Sequence, residues 1–144
     1  LLYQKGREHE AFAAYDSCLV WKEDNIGCLN NYAYYLSLLG VRLDEAEQMS
    51  YRTVKAEPEN ATYLDTYAWI LFRQERYAEA KVYIDQALRC DSLAGAVVIE
   101  HAGDIYALCG DMEKAMMLWE QAQADSPDNK LLRRKIKRKK YIRK

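Results

Sequence analysis

Side chains able to do chemistry are few in this sequence, and they are widely separated. Four cysteines stand at Cys18, Cys28, Cys90 and Cys109, at intervals of 10, 62 and 19 residues, and two histidines at His9 and His101. No C-x-x-C pair occurs and neither histidine sits at a ligand spacing from a thiol, so no zinc site or dithiol redox centre is predicted. The cysteines read as small buried apolar residues, and unpaired thiols suit a reducing compartment. One constellation has acid–base potential: Glu100-His101 with Asp104 one turn on. A carboxylate beside an imidazole is what proton transfer near neutral pH requires. With no nucleophile nearby, the three residues read as solvated polar neighbours on one helix. No G-x-S-x-G, H-E-x-x-H or phosphate-cradling glycine loop is present. The expectation is a chain without catalytic residues, metal or cofactor.

The elements that carry these residues follow from composition and period. Half of the 144 residues are apolar, enough for a domain with its own core, and only 6 Gly and 2 Pro interrupt them. Alanine and leucine dominate while β-branched residues are scarce, which excludes an all-β fold and points to an all-α one. No apolar stretch approaches the roughly 18–20 residues of a membrane-crossing helix. Leu1 falls inside a predicted helix, so the sequence reads as a segment of a longer chain.

Four strings, beginning HEAFAAY, DEAEQMS, AEAKVYI and EKAMMLW, each hold an alanine at the third place: Ala11, Ala46, Ala80 and Ala115, spaced 35, 34 and 35 residues apart. Seven residues after each comes another small side chain: Cys18, Thr53, Ala87 and Ala122. The half-period before three of these strings repeats too, as Leu29–Tyr32–Ala33–Leu36, Leu64–Tyr67–Ala68–Leu71 and Ile99–Ala102–Gly103–Tyr106. Each set follows the i, i+3, i+4, i+7 spacing of one helical face. Every unit is therefore two amphipathic helices joined by a tight turn. Gly6, Gly40 and Gly110 occupy the turns, and Glu75 replaces glycine once. Small residues let paired helices approach closely, with Tyr67, Leu71 and Trp119 filling the space alongside.

The period, the small residue in the first helix, the glycine turn, the Tyr77-Ala78-Glu79-Ala80 opening of a second helix and the closing Pro58-Glu59-Asn60 and Pro127-Asp128-Asn129 resemble the tetratricopeptide repeat (TPR). Phrases such as LNNYAYYLS and IEHAGDIYALCGD look most like the multi-repeat TPR proteins of bacteria. Ala102, where a larger residue is usual, and Ser92, in place of the closing proline, depart from the pattern. The resemblance implies a right-handed superhelix of stacked antiparallel helix pairs with a C-terminal capping helix. The expected divisions are a TPR array over 1–129, made of a partial repeat 1–25 and complete repeats 26–60, 61–95 and 96–129, then a basic capping helix and tail over 130–144.

The resemblance further implies that first helices line a concave groove for a peptide or helix of another protein. Residues to one side of each core stripe are then the candidate partner-binding set: Asn30, Asn31 and Tyr34 with Leu38; Asp65, Trp69, Phe72 and Arg73 with Thr66; and Glu100, His101 and Asp104 with Leu108. Aromatics would supply contact area and acids would select a basic partner. Tyr34, Trp69 and Phe72 could equally pack between repeats, and Asp65, Glu100 and Asp104 could be plain solvated charges. The places that correspond to the carboxylate-gripping Lys and Arg of some TPR co-chaperones hold Asn30, Asn31, Tyr34, Asp65, Glu100, His101 and Asp104; the Lys and Arg are absent there, and the acids would repel a carboxylate.

The net charge of −1 conceals an asymmetry: residues 130–144 hold ten of the 21 basic residues and no acid, leaving 11 basic against 22 acidic residues, a net of −11, over 1–129. Leu131, Leu132 and Ile136 continue a helical stripe that would cap the last repeat. The final RKKYIRK reads as unpacked, free to meet an anionic membrane surface, nucleic acid (disfavoured for lack of aromatics beyond Tyr141) or an acidic surface, that of this chain included. Leu1, Leu2 and Tyr3, uncovered in a truncated repeat, would favour self-association. The expected function is a non-catalytic scaffold or adaptor without a small-molecule substrate. Its alternatives are a non-catalytic arm of a larger enzyme or envelope or secretion component, and tail-mediated attachment. The compartment stays open between cytoplasmic and periplasmic or membrane-attached.

Overall fold

A computed structural model describes residues 25–91 and 94–143. The expectations for Cys18, His9, Gly6 and the self-association of Leu1, Leu2 and Tyr3 lie outside the described residues. Among the described residues seven helices follow one another: α1 (Ile26–Leu39), α2 (Leu43–Ala56), α3 (Ala61–Arg73), α4 (Tyr77–Cys90), α5 (Ala96–Leu108), α6 (Met112–Asp125) and α7 (Lys130–Arg138). No strand occurs among the described residues.

Local chemistry sets each boundary. Asn25, Asn60 and Asn129 each turn a side-chain oxygen back to accept from the N–H of Cys28 (2.9 Å), Tyr63 (3.2 Å) and Leu132 (2.9 Å), capping α1, α3 and α7. Such a cap contributes about 1 kcal/mol. The asparagine that ends each Pro-x-Asn motif is thus the first-turn acceptor of the following helix. At the other end, Gly40 (φ 70°), Glu75 (φ 64°) and Gly110 (φ 91°) occupy the same place in the three hairpin turns, all left-handed. Glu75 adopts without glycine's freedom what its two counterparts adopt with it.

The helices pair as α1–α2, α3–α4 and α5–α6, and each pair stacks on the next through α2–α3 and α4–α5. First helices run side by side, α1 against α3 and α3 against α5, while α7 packs on α6. The close approaches lie at the small residues: Ala33, Ala46, Ala68, Ala80, Ala102, Ala115, Ala87 and Ala122 are fully buried. Gly103 is the tightest of them. A Cβ built there would lie 2.4 Å from Trp119 Cδ1 and 2.5 Å from its Nε1, so the indole of α6 fills the notch that glycine leaves in α5. One core runs from Val54 through α3–α6 to Leu132 of α7; a smaller one joins Tyr32, Ala33, Leu36, Ala46 and Ile70.

Two cysteines depart from expectation. Cys28 is buried, but Cys90 and Cys109 are exposed. Cys90 is the last residue of α4 and Cys109 the C-cap of α5, positions where a helix leaves the core stripe.

Candidate functional site

The inner face formed by α1, α3 and α5 carries the candidate residues at equivalent places, and the structure gives them unequal fates. On α1, Asn31 is exposed, Tyr34 half-buried and Asn30 buried. On α3, Asp65, Trp69 and Phe72 are buried, whereas Arg73 is half-buried with its guanidinium against Gly40, beside the preceding turn. On α5, His101 and Asp104 are buried and Glu100 is half-buried.

Aromatic packing knits α3 to α5. The Trp69 ring stacks on His101 (centroids 4.0 Å apart, 17° between planes) and on Phe72 (4.6 Å, 16°). Tyr34 approaches the same imidazole at 6.4 Å. Beneath the stack, His101 Nδ1 lies 2.9 Å from Asp65 Oδ1 with both side chains 9% exposed. Burial opposes charge on the imidazole, but Asp65, assisted by Asp104 and Glu100, outweighs it and holds the histidine above its ordinary range. These acids are therefore not the solvated neighbours that spacing suggests: Asp65 and Asp104 are interior groups with named partners.

Those partners come in part from the basic end. Lys135 of α7 is 2% exposed; its Nζ donates to Asp104 Oδ1 (2.8 Å) and Glu100 Oε2 (2.7 Å). Asn129 Nδ2 donates to Glu100 Oε1 (3.0 Å), and Trp119 Nε1 to Asp104 Oδ1 (3.1 Å). Burial dominates at Asp104 and pushes its carboxyl up to about 6 despite Lys135. Beyond α7 the chain turns at Lys139 (φ 54°), and Tyr141 then stands edge-on to Phe72 of α3 (5.3 Å, 85°). Lys135 Nζ lies 5.4 Å from the Tyr141 ring centre. Tyr141 and Ile142 are half-buried against this face, contrary to the expectation of an unpacked RKKYIRK, while Arg138, Lys139, Lys140 and Arg143 are exposed. Lys135 of α7 and Tyr141 hold this end to the inner face, the lysine by pairing with acids of the chain itself, one of the options that the charge left open.

Lys135, Asn129 and Tyr141 are the site residues that sequence reasoning missed. A signal existed for Lys135: at about 100° per residue it falls between Leu131 and Leu132 on the α7 wheel, inside the apolar arc.

Between the tail and the first helices a cavity of about 270 Å³ remains, lined by Tyr34, Leu38, Trp69, Val97, Glu100, His101 and Asp104 on one side and Leu131, Lys135, Tyr141 and Ile142 on the other. Leu38 and Val97 are 48% and 58% exposed. The arrangement can grip a side chain. It offers no nucleophile, and the imidazole is enclosed. Among the described residues no three His, Cys, Asp or Glu side chains converge as a metal site would require.

Known proteins share this architecture. The first TPR domain of human RPAP3 superposes with a TM-score of 0.70 at 18% identity, covering 79% of this chain and 88% of that one. A tetratricopeptide repeat protein from Parabacteroides merdae gives 0.76 at 17% identity over 96% and 53% of the two chains, and MamA 0.74 at 18% over 94% and 78%. The fold is that of a TPR solenoid. No family model matches the sequence. A TPR repeat-containing protein of Pseudomonas aeruginosa is 35% identical over 66 residues, 46% of this chain and 11% of that protein. The chain thus spans about a tenth of this TPR relative's length.

Proposed function

We propose that this TPR array is a non-catalytic interaction module that holds a peptide or helix of another protein along the open stretch of its inner face. In this reading repeats 26–60, 61–95 and 96–129 build the face, and residues 130–144 close its far end. The observation that carries the proposal is the cavity between the face and the tail, whose lining includes Tyr34, Leu38, Trp69, Val97 and Tyr141. An apolar or aromatic side chain of a partner would be the anchor, with Asn31 and Arg73 at the rim. A basic partner gains less from Glu100 and Asp104 than their charge suggests, because Lys135 already answers both.

The span of about a tenth of the Pseudomonas protein favours a module inside a longer chain, serving as scaffold or as the non-catalytic arm of a larger assembly. Random peptides displayed on phage and selected on the protein test the groove. Selected peptides should share an apolar anchor and bind at least tenfold more weakly to Leu38→Glu and Tyr34→Ala. Tyr51→Ala, half-exposed on α2, should not change binding. Peptides indifferent to Leu38 and Tyr34 but sensitive to Tyr51 would move the site off the inner face.

A further inference from the structure

The nine residues of α7 divide into two opposed faces. At about 100° per residue, Leu131, Lys135, Leu132 and Ile136 fill one arc, and these are its buried and half-buried side chains. Lys130, Arg133, Arg134, Lys137 and Arg138 fill the other, within about 140°, and all five are exposed. Lys139, Lys140 and Arg143 extend the exposed charge past the helix. Lys135 spends its charge inside the protein on two carboxylates, but none of these eight exposed cations pairs with an acid among the described residues. A structural cap needs the buried arc alone; it gives no reason for five unpaired cations on the opposite arc and three more beyond the helix. Like charges crowded on about 13 Å of helix repel one another, and an anionic partner relieves that repulsion.

We propose that this basic face is a docking surface for an anionic phospholipid bilayer. Clusters of four to eight Lys and Arg on an amphipathic helix suit such surfaces, each charge contributing about 1 kcal/mol near the headgroups, or roughly fivefold in partition. Leu132 is fully buried in the core and Ile136 packs against it, so attachment is peripheral and electrostatic, without inserted side chains. The acids of residues 1–129 oppose approach by any other side, and their repulsion is screened beyond about 8 Å at physiological salt. Contacts to nucleic acid draw on Ser, Thr, Asn, Gln and stacking aromatics as well as on cations. The face offers Lys and Arg only, and Tyr141 is engaged against Phe72. Laterally mobile lipids can gather beneath cations of irregular spacing, which a phosphate backbone of fixed spacing cannot do.

Co-sedimentation of the full chain with vesicles of phosphatidylcholine alone, or with about a third phosphatidylserine, tests this. Partition should rise at least tenfold with phosphatidylserine and collapse in 0.5 M salt. Replacing Arg133, Lys137 and Arg138 by glutamine should lower it roughly a hundredfold. Those side chains touch no core, so an unchanged circular dichroism melt establishes that the variant is folded. Equal binding to both vesicle types, full retention by the triple variant, or tenfold tighter binding to duplex DNA than to the anionic vesicles would each overturn the assignment.

Discussion

Lys135 Nζ lies 2.8 Å from Asp104 Oδ1, and each of the two side chains is 3% exposed. A lysine from the most basic stretch of the sequence is thus inside the protein, and a carboxylate of the inner face is covered by the chain's own end. Lys135→Met leaves Asp104 buried without its cation, a change that costs about 3 kcal/mol when one half of an interior ion pair is removed. Urea unfolding should show that loss. Adding Asp104→Asn to Lys135→Met should recover part of it, because the second change removes the stranded charge; strict additivity would mean the pair is not coupled.

The same cluster predicts a pH dependence. Burial holds the Asp104 carboxyl at about 6, above 3.8, so the folded protein keeps a proton that the unfolded chain has lost. Stability from this group therefore falls as pH rises from about 4 to 6. His101 is raised by Asp65 and its neighbours against the opposing effect of burial; its contribution is complete below 6.5 and lost as pH climbs through the folded value. Urea midpoints should show Asp104→Asn flattening the lower window and His101→Gln the upper one. Parallel profiles for wild type and Asp104→Asn between pH 4 and 6 would contradict the first assignment.

Gly103→Ala drives a methyl group into Trp119, whose Cδ1 would be 2.4 Å away. Overpacking of this kind costs about 1–3 kcal/mol. Pairing it with Trp119→Leu should restore part of the loss in a thermal melt, since the smaller side chain vacates the notch.

Ala80→Leu tests the register of the array. Ala80 is fully buried where α4 meets its neighbours, so the added bulk should cost about 1–3 kcal/mol. A change within a few tenths would mean the position is not a helix contact.

Glu75, at φ 64°, holds the left-handed turn place that Gly40 and Gly110 fill in the other two hairpins. Glu75→Gly should relieve the Cβ–carbonyl crowding of that conformation and raise stability by about 0.5–1 kcal/mol in a chemical melt, net of the added freedom of the unfolded chain.

The helix pairs were legible in the sequence because close packing leaves a periodic trace. Ala46, Ala80 and Ala115 recur where only a small side chain fits, and Gly40 and Gly110 recur where the backbone turns left-handed. The fate of the inner face was not legible in the same way. Helical spacing assigns Asp65, Glu100 and Asp104 to a side of a helix but says nothing of what lands on that side. Lysine is rarely interior, so a run of ten cations reads as solvent-exposed throughout. Lys135 departs from the run through an ion pair with residues 31 and 35 positions away, and no local pattern encodes such a separation. Tyr141 reaches Phe72 across a still longer gap.

Asn60 and Asn129 close one repeat by sequence and cap the opening helix of the next by hydrogen bonding. Anyone excising pieces of this array meets a seam one residue upstream of each such helix. A fragment starting at Asn60 keeps its leading helix anchored, whereas one starting at Ala61 frays from its first turn. A fragment ending at Asp128 would strip Glu100 of both its donors, Asn129 and Lys135, so a boundary placed there would loosen α5 as well as remove α7.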